Sequence, residues 1–199
     1  MSNYKELSTD ELYRLASKGD RDAYYWLGDD YKKHGDFHNA AVWLEKAVEN
    51  LPSNHECFKT AALNLAFLHK DKLISQADDN EAIRLFELVP NLGPTSILLL
   101  GLLYYNVQGH NHNPKKGIDL VENAVKQFIN EDGNDEYLEY ALCYEIARIY
   151  FKEASKTNNA EYAWKALDYF RKTVARGQSS KQAEVAKKII DDYERALGL

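Results

Sequence analysis

The chain has 199 residues, of which 45% are hydrophobic; this excludes the disordered class and suffices for one large domain or a compact repeat array. Its 25 basic and 31 acidic residues give a formal charge of −6. These charges are spread along the chain and disfavour nucleic acid as a partner, because phosphate binding needs clustered lysine and arginine. Four prolines and ten glycines are too few turn residues for an all-β protein.

The sequence favours a cytoplasmic protein without membrane insertion. Its N-terminus lacks the basic and apolar regions of a secretory signal. The longest apolar run, residues 97–105, has about half the length that a bilayer-spanning helix needs. The two cysteines, Cys57 and Cys143, lie far apart in helical stretches, and we expect both to be buried, reduced thiols.

Apolar residues recur with a period near 3.6 through most of the chain, which predicts helices and no strand. In chain order, the predicted helices cover residues 8–18, 21–34, 37–49, 54–70, 79–89, 94–107, 114–130, 135–156, 160–176 and 179–197.

Helix starts and ends carry local signals. Residues 8–11 and 53–56 each have the form of a capping box, in which a serine and a glutamate satisfy each other's backbone amides. Asn113 before Pro114 predicts an N-cap followed by a proline at the first helical position. Glycines that end helices are Gly19, Gly35 and Gly177.

Pairs of helices repeat along the chain, and each pair has small residues where its helices would cross. In the first helix of each pair, a large apolar residue precedes a small one. The pairs of anchor residues are Leu27 with Gly28, Leu65 with Ala66, Leu100 with Gly101, and Ile146 with Ala147. The small residues of the second helices are Ala40, Ala82, Gly117 and Ala166. Small residues allow two helices to approach to about 8 Å.

Three segments carry a family resemblance: AYYWLGDDYKKHGDFHNAAVWLEKAVEN, SILLLGLLYYNVQGHNHNPKKGIDLVENAV and WKALDYFRKTVARG. They resemble the Sel1-like repeat family, which is tetratricopeptide-like. The resemblance covers residues 23–177, and the copy at 61–89 departs from it most, with alanine in place of glycine. Spacings of 38, 35 and 46 residues between the large anchors vary more than tetratricopeptide repeats allow.

The resemblance implies an all-α fold, a right-handed α-solenoid of about four helix-pair repeats with capping helices at both ends. We expect a single solenoid domain over residues 1–199. Its repeats would cover 21–49, 54–89, 94–130 and 135–176, between capping helices at 8–18 and 179–197. Members of such a family look like interaction adaptors and generally have no catalytic centre.

First-helix positions two residues before or after the large anchor point away from the second helix of their own pair. In the implied stack the first helices line the concave side, so these positions and their aromatic neighbours predict a partner-binding surface. This surface comprises Tyr25, Trp26, Asp29, Leu63, Phe67, Leu98, Leu102, Tyr105, Tyr144 and Arg148. The alternative role of its leucines and tyrosines is packing between adjacent repeats.

The sequence has no motif that predicts chemistry. His110 and His112 form the only close histidine pair, and their loop offers no nearby acid or cysteine as a further metal ligand. Paired acids fall at helix ends or on solvated faces, and residues 131–135 lack the ligand spacing of a calcium loop. Phosphate-binding loops and nucleophile elbows are missing from the sequence. We therefore expect no catalytic residues, cofactor or metal.

Two functions fit these observations. The favoured one is an adaptor, or scaffold, that binds a peptide or a folded protein on its concave surface. The alternative is an immunity-type or inhibitor protein that neutralises one toxin or enzyme, because an acidic surface can cover a basic active site. An enzyme is the third hypothesis, and a deep polar pocket around buried acids or histidines would support it. The sequence leaves a homo-oligomer open.

Overall fold

The structure, a computed structural model, describes residues 4–130, 136–177 and 179–197. This part of the chain contains one short 3-10 helix, Tyr4–Glu6, and ten α-helices, and it contains no strand. The helices are α1 (Thr9–Ser17), α2 (Arg21–Lys33), α3 (Phe37–Asn50), α4 (Glu56–Lys70), α5 (Asp79–Glu87), α6 (Pro94–Asn106), α7 (Pro114–Asn130), α8 (Glu136–Thr157), α9 (Ala160–Gly177) and α10 (Lys181–Leu197). Each predicted helix is present, with its ends within two residues of the prediction. The predicted acidic loop over 131–135 lies outside the described residues.

The chain folds into two compact units. The first comprises Met1–Leu92 with Val107–Asn111, and the second comprises Gly93–Asn106 with His112–Leu199. In the first unit α1 packs on α2, α2 on α3, α3 on α4 and α4 on α5; in the second, α6 to α10 follow the same rule. This neighbour-to-neighbour packing confirms the all-α architecture of helix pairs. A single domain over the whole chain stays a prediction.

Small residues lie at the crossing of each helix pair, as predicted. A Cβ atom added to Gly28 on α2 would lie 2.8 Å from Cγ of Leu44 on α3. A Cβ added to Gly101 on α6 would lie 2.8 Å from the backbone oxygen of Gly117 on α7. The alanines at equivalent positions are fully buried: Ala40, Ala66, Ala82, Ala147 and Ala166. The two helices of a pair can therefore approach closely because glycine or alanine, rather than a larger residue, lies at their crossing.

Two of the predicted helix starts are confirmed. Ser8 accepts from the Glu11 amide, and the Glu11 carboxylate accepts from the Ser8 amide at 2.9 Å, which completes the capping box before α1. Asn113 accepts from the Lys116 amide at 3.0 Å and caps α7. Gly19 and Gly35 follow α1 and α2 with φ of 87° and 79°, a conformation that side chains disfavour.

The second predicted capping box, at residues 53–56, is wrong. The amide of His55 donates to the carbonyl of Pro52 at 2.9 Å and closes a turn over Ser53, so α4 begins only at Glu56. His55 is the N-cap instead, and its Nδ1 accepts from the Cys57 amide at 3.2 Å. A histidine in this role is uncommon, because serine, threonine, aspartate and asparagine are the usual N-caps.

The apolar run over 97–105 lies within α6 and is covered on more than one side. Leu100 and Leu103 are buried in the second unit, where α6 packs on α7. Leu98 and Leu102 pack partly against the core cluster that includes residues of α8 and α9. Within the described ranges, none of the helices combines the length and apolar character that crossing a bilayer requires.

Candidate functional site

A depression of about 550 Å³ lies between two consecutive first helices in the first unit. Three predicted binding residues of α2 line it: Tyr25, Trp26 and Asp29. Its other lining residues are Lys5, Lys33, Glu56, Cys57 and Thr60. We call it the α2–α4 depression.

Aromatic contacts and one ion pair fix the walls of the α2–α4 depression. The ring of Trp26 stacks on Tyr4 at 6.3 Å between centroids and meets Tyr25 edge-on at 5.0 Å. Lys33 pairs with Asp29 at 2.7 Å. Burial, followed by the charge of Asp29, raises the pKa of Tyr25 to about 12, so its hydroxyl stays protonated near neutral pH. The depression therefore offers an aromatic wall beside a mixed-charge rim.

A second depression, of about 430 Å³, lies between α6 and α8 in the second unit. We call it the α6–α8 groove. Three predicted residues, Leu102, Tyr105 and Arg148, line it. The remaining lining residues are Asn106, Glu145, Ile149, Phe151, Lys152, Phe170 and Ile189. Five large apolar side chains thus form much of its lining, and charged side chains from α8 lie among them.

Tyr105 lies deeper than the sequence suggested. Its side chain is only 6% exposed, and its hydroxyl donates to Oε1 of Glu153 at 2.9 Å. Lys156 also donates to this oxygen, at 2.8 Å. Burial alone would raise the pKa of Glu153, but the hydrogen bonds from Lys156 and Tyr105 outweigh it and lower that pKa. The network holds α6 against α8 beneath the groove.

The charged residues of the α6–α8 groove differ in their contacts. Arg148 is exposed and donates to both carboxylate oxygens of Glu145 at 3.1 Å. Lys152 is exposed and lies 5.3 Å from the centroid of the Tyr105 ring. In the described part of the chain, no carboxylate lies within ion-pair distance of Lys152. Its charge also helps to lower the pKa of the buried Glu153 carboxyl.

Four of the ten predicted residues line neither depression. Leu63 and Phe67 are half-buried on α4, and Phe67 meets Phe86 edge-on at 5.7 Å. Leu98 and Tyr144 are half-buried against the core of the second unit. Packing within the fold accounts for the contacts of Phe67, Leu98 and Tyr144.

A cluster that sequence analysis did not anticipate joins α2 to the start of α4. One ligand atom each of Asp22, His55 and Cys57 lie within 4.8 Å of one another. Nε2 of His55 is 3.4 Å from Oδ1 of Asp22. Cys57 is only half-buried, so the expectation of a buried thiol is wrong for it, whereas Cys143 is buried as expected. No spacing motif marks the cluster, because Asp22 is distant in sequence.

A cysteine, a histidine and an aspartate together are also the groups of some nucleophilic sites, but here the thiol is not activated. Burial, followed by the charges of Asp22 and Glu56, raises the pKa of Cys57 to about 11. Near neutral pH the sulfur therefore stays protonated, whereas a catalytic cysteine needs a lowered pKa. As it stands, this cluster does not provide a nucleophile.

His110 and His112, in the loop before α7, do not belong to a cluster of this kind within the described residues. His110 lines a shallow depression with Asp78, Asn80 and Glu81. Among the described residues, the one group of three side chains close enough to share a metal ion is that of Asp22, His55 and Cys57.

Comparisons with known proteins point to helical repeat structures. No protein-family model and no curated protein sequence matches the chain. The structure is similar to c5321, a protective antigen of uropathogenic Escherichia coli strains that displays an SLR fold, with 20% identity and a TM-score of 0.55. That match covers 88% of this chain and 34% of the antigen, so the chain spans about a third of the antigen's length.

A second similar structure is that of MamA, with 17% identity and a TM-score of 0.61. This match covers 90% of each chain. Sequence identities this low show a shared fold and nothing more. The fold that the resemblance to the Sel1-like repeat family implies is confirmed: the described residues form an all-α fold of helix-pair repeats, as in an α-solenoid.

Proposed function

We propose that the chain is a non-catalytic interaction scaffold that binds a peptide or a folded protein on the surfaces of its first helices. The observation that carries the proposal is the α6–α8 groove. Its volume is about 430 Å³, and its lining combines apolar side chains with exposed charged ones. Apolar side chains beside exposed charges are typical of an interface, in which burial provides affinity and charge provides orientation.

The chemistry of the groove suggests which part of a partner it would hold. Leu102, Phe151 and Ile189 offer apolar surface to a large aliphatic or aromatic side chain. Burial of one such side chain contributes about 1.5–3 kcal/mol. Arg148 and Lys152 are exposed and also line the groove, so they would attract an acidic residue next to that side chain. A partner segment with an apolar residue beside an aspartate or glutamate therefore fits best.

The α2–α4 depression is a second candidate contact surface, within the first unit. Tyr25 and Trp26 provide aromatic surface that is already ordered, so contact with it costs little conformational entropy. Two lysines, Lys5 and Lys33, and two acids, Asp29 and Glu56, give it mixed charge. It suits a polar partner segment better than the α6–α8 groove does.

We also propose that the chain has no catalytic activity and that it is cytoplasmic. The raised pKa of the Cys57 thiol supports the first, because among the described residues it disfavours the nucleophile in the cluster of Asp22, His55 and Cys57. The net charge of −6 supports protein partners over nucleic acid.

The experiment starts with affinity purification of the tagged chain from its native cell and identification of bound proteins by mass spectrometry. Binding of the purified partner is then measured by calorimetry for the wild type and for Arg148→Glu/Lys152→Glu. Reversal of two groove charges should weaken binding at least about tenfold, or ~1.4 kcal/mol.

Lys172→Glu is the matched control, since Lys172 is an exposed lysine on the second helix α9. Equal affinity of the groove variant and the control would contradict the proposal. If the partner is an enzyme or toxin whose activity the chain blocks, the inhibitor or immunity function replaces the adaptor function on the same surface.

A further inference from the structure

We infer that Asp22, His55 and Cys57 form a divalent metal site, and that Zn²⁺ is the ion best suited to it. The inference goes beyond the proposed scaffold function and does not depend on it. An imidazole nitrogen, a thiolate sulfur and a carboxylate oxygen are the three ligand types that zinc uses in proteins. Softer ligands such as cysteine also disfavour magnesium and calcium, which prefer oxygen alone.

One distance in the cluster already matches that which a tetrahedral ion requires. Ligand bonds of about 2.0–2.3 Å place two ligands of one zinc ion about 3.3–3.6 Å apart. Nε2 of His55 and Oδ1 of Asp22 are already 3.4 Å apart. The sulfur of Cys57 completes a group whose atoms all lie within 4.8 Å of one another.

The surroundings of the cluster favour a cation. Asp22 and Glu56 both lie close enough to Cys57 to act on its thiol through their charges. In the described residues, the one ion-pair partner of Asp22 is His55, so no lysine or arginine neutralises its carboxylate. Asp22 and His55 retain 37% and 38% of their side-chain surface, which leaves the ligands accessible to an ion from solvent.

The fold position gives the ion a structural consequence. Asp22 lies in the first turn of α2, whereas His55 and Cys57 lie at the start of α4. The ion would join two consecutive first helices at the edge of the α2–α4 depression, which Cys57 also lines. The negative thiolate that binding creates would lie at the N-terminal end of α4, where the helix dipole favours negative charge.

Metal binding competes with the N-cap of α4. Nδ1 of His55 accepts from the Cys57 amide, so the ring carries its proton on Nε2, towards Asp22. An ion bound at Nε2 displaces that proton, and the neutral ring then carries a proton on Nδ1. The ring can no longer accept from the Cys57 amide, and the ion replaces this hydrogen bond as the link at the start of α4.

The three protein ligands leave the fourth position of a tetrahedral ion to a water molecule.

The test is a titration of the purified full chain with Co²⁺ and then Zn²⁺. The wild type should bind one Co²⁺ per chain, with the thiolate-to-cobalt charge-transfer absorption that a bound cysteine gives, and Zn²⁺ should abolish that absorption. Zn²⁺ should also raise the Tm of the wild type, since an ion that binds only the folded chain stabilises it. A wild type without the thiolate absorption, or without saturable Zn²⁺ binding, would overturn the inference.

Variants assign the ligands. Cys57→Ser should remove the charge-transfer absorption, and Asp22→Asn should weaken Zn²⁺ binding at least about tenfold. His55→Asn removes the imidazole but keeps an acceptor that can cap α4. Cys143→Ala and His110→Gln are the controls, and both should bind the ion as the wild type does. Unchanged binding by Cys57→Ser, or loss of binding in Cys143→Ala with its fold intact by circular dichroism, would contradict the assignment.

Discussion

Gly101 and Gly117 contact each other directly across the α6–α7 pair. A Cβ atom added to Gly117 would lie 2.7 Å from the carbonyl oxygen of Gly101 and 2.9 Å from the amide nitrogen of Tyr105. Both neighbouring atoms belong to the backbone of α6, which a side-chain rotation cannot move. The crossing of these two helices therefore requires glycine on both sides.

Gly117→Ala should lower the free energy of unfolding by about 1–3 kcal/mol, the usual cost of an extra carbon in a packed core. The sign of this change is informative, because in an exposed helix interior the replacement of glycine by alanine would stabilise the helix by about 1 kcal/mol. Urea denaturation followed by circular dichroism measures the change. Gly93→Ala is the control: a Cβ there meets nothing within 4 Å, so its stability should stay within about 0.5 kcal/mol of the wild type.

Tyr105→Phe should cost about 1.5–3 kcal/mol, because it removes a hydrogen bond to the buried, charged carboxylate of Glu153. Loss of this donor should also raise the pKa of Glu153, which Tyr105 helps to lower. Thermal unfolding measures the change in stability. Carboxyl-detected NMR measures the titration of Glu153. Tyr13→Phe, at a tyrosine that is 51% exposed, should change neither quantity. If both variants unfold like the wild type, the Tyr105–Glu153 contact does not stabilise the second unit.

His69 should make stability depend on pH. It is only 4% exposed, its Nδ1 accepts from the Asp78 amide at 3.1 Å, and its buried Nε2 has no hydrogen-bond partner. Burial, which outweighs the nearby carboxylate of Glu81, lowers the pKa of His69. Between that pKa and the ordinary value of about 6.5, the unfolded chain binds a proton that the folded chain does not. The contribution of neutral His69 to the free energy of unfolding should therefore be fully present above about pH 6.5. It should decrease as the pH falls below that value.

The measurement compares urea denaturation of the wild type and of His69→Asn between about pH 7.5 and about pH 5.5. Asparagine keeps an acceptor for the Asp78 amide but does not titrate. The variant should be less stable at every pH, with a smaller decrease on acidification. A decrease as large as that of the wild type would show that other groups cause the pH dependence.

The helices could be predicted because their signals are local. Capping residues, positive-φ glycines and the 3.6-residue period act within a few residues, and Gly101 and Gly117 could be matched by their positions in the repeat. The start of α4 was missed because a turn closed by His55 and Pro52 replaced the expected cap. A competing turn of this kind leaves little trace in sequence.

The candidate sites depend on contacts between consecutive pairs, which the sequence does not determine. Tyr105 was predicted only as an aromatic neighbour of the first-helix positions that point away from the second helix of their own pair. The pattern within one pair does not reveal that Glu153 of the next pair accepts a hydrogen bond from the Tyr105 hydroxyl. Likewise, Asp22, His55 and Cys57 meet only because α2 and α4 pack in one particular register.

The most direct test of the scaffold proposal is photo-crosslinking. A photoreactive amino acid is placed at Lys152, on the α6–α8 groove, or at Trp164, which is 57% exposed on the second helix α9. After irradiation of native cells, the crosslinked proteins are identified by mass spectrometry. We predict a specific crosslink to one partner from position 152 and none to that partner from position 164. Crosslinks from position 164 alone, or from neither position, would contradict the binding of partners by the first helices.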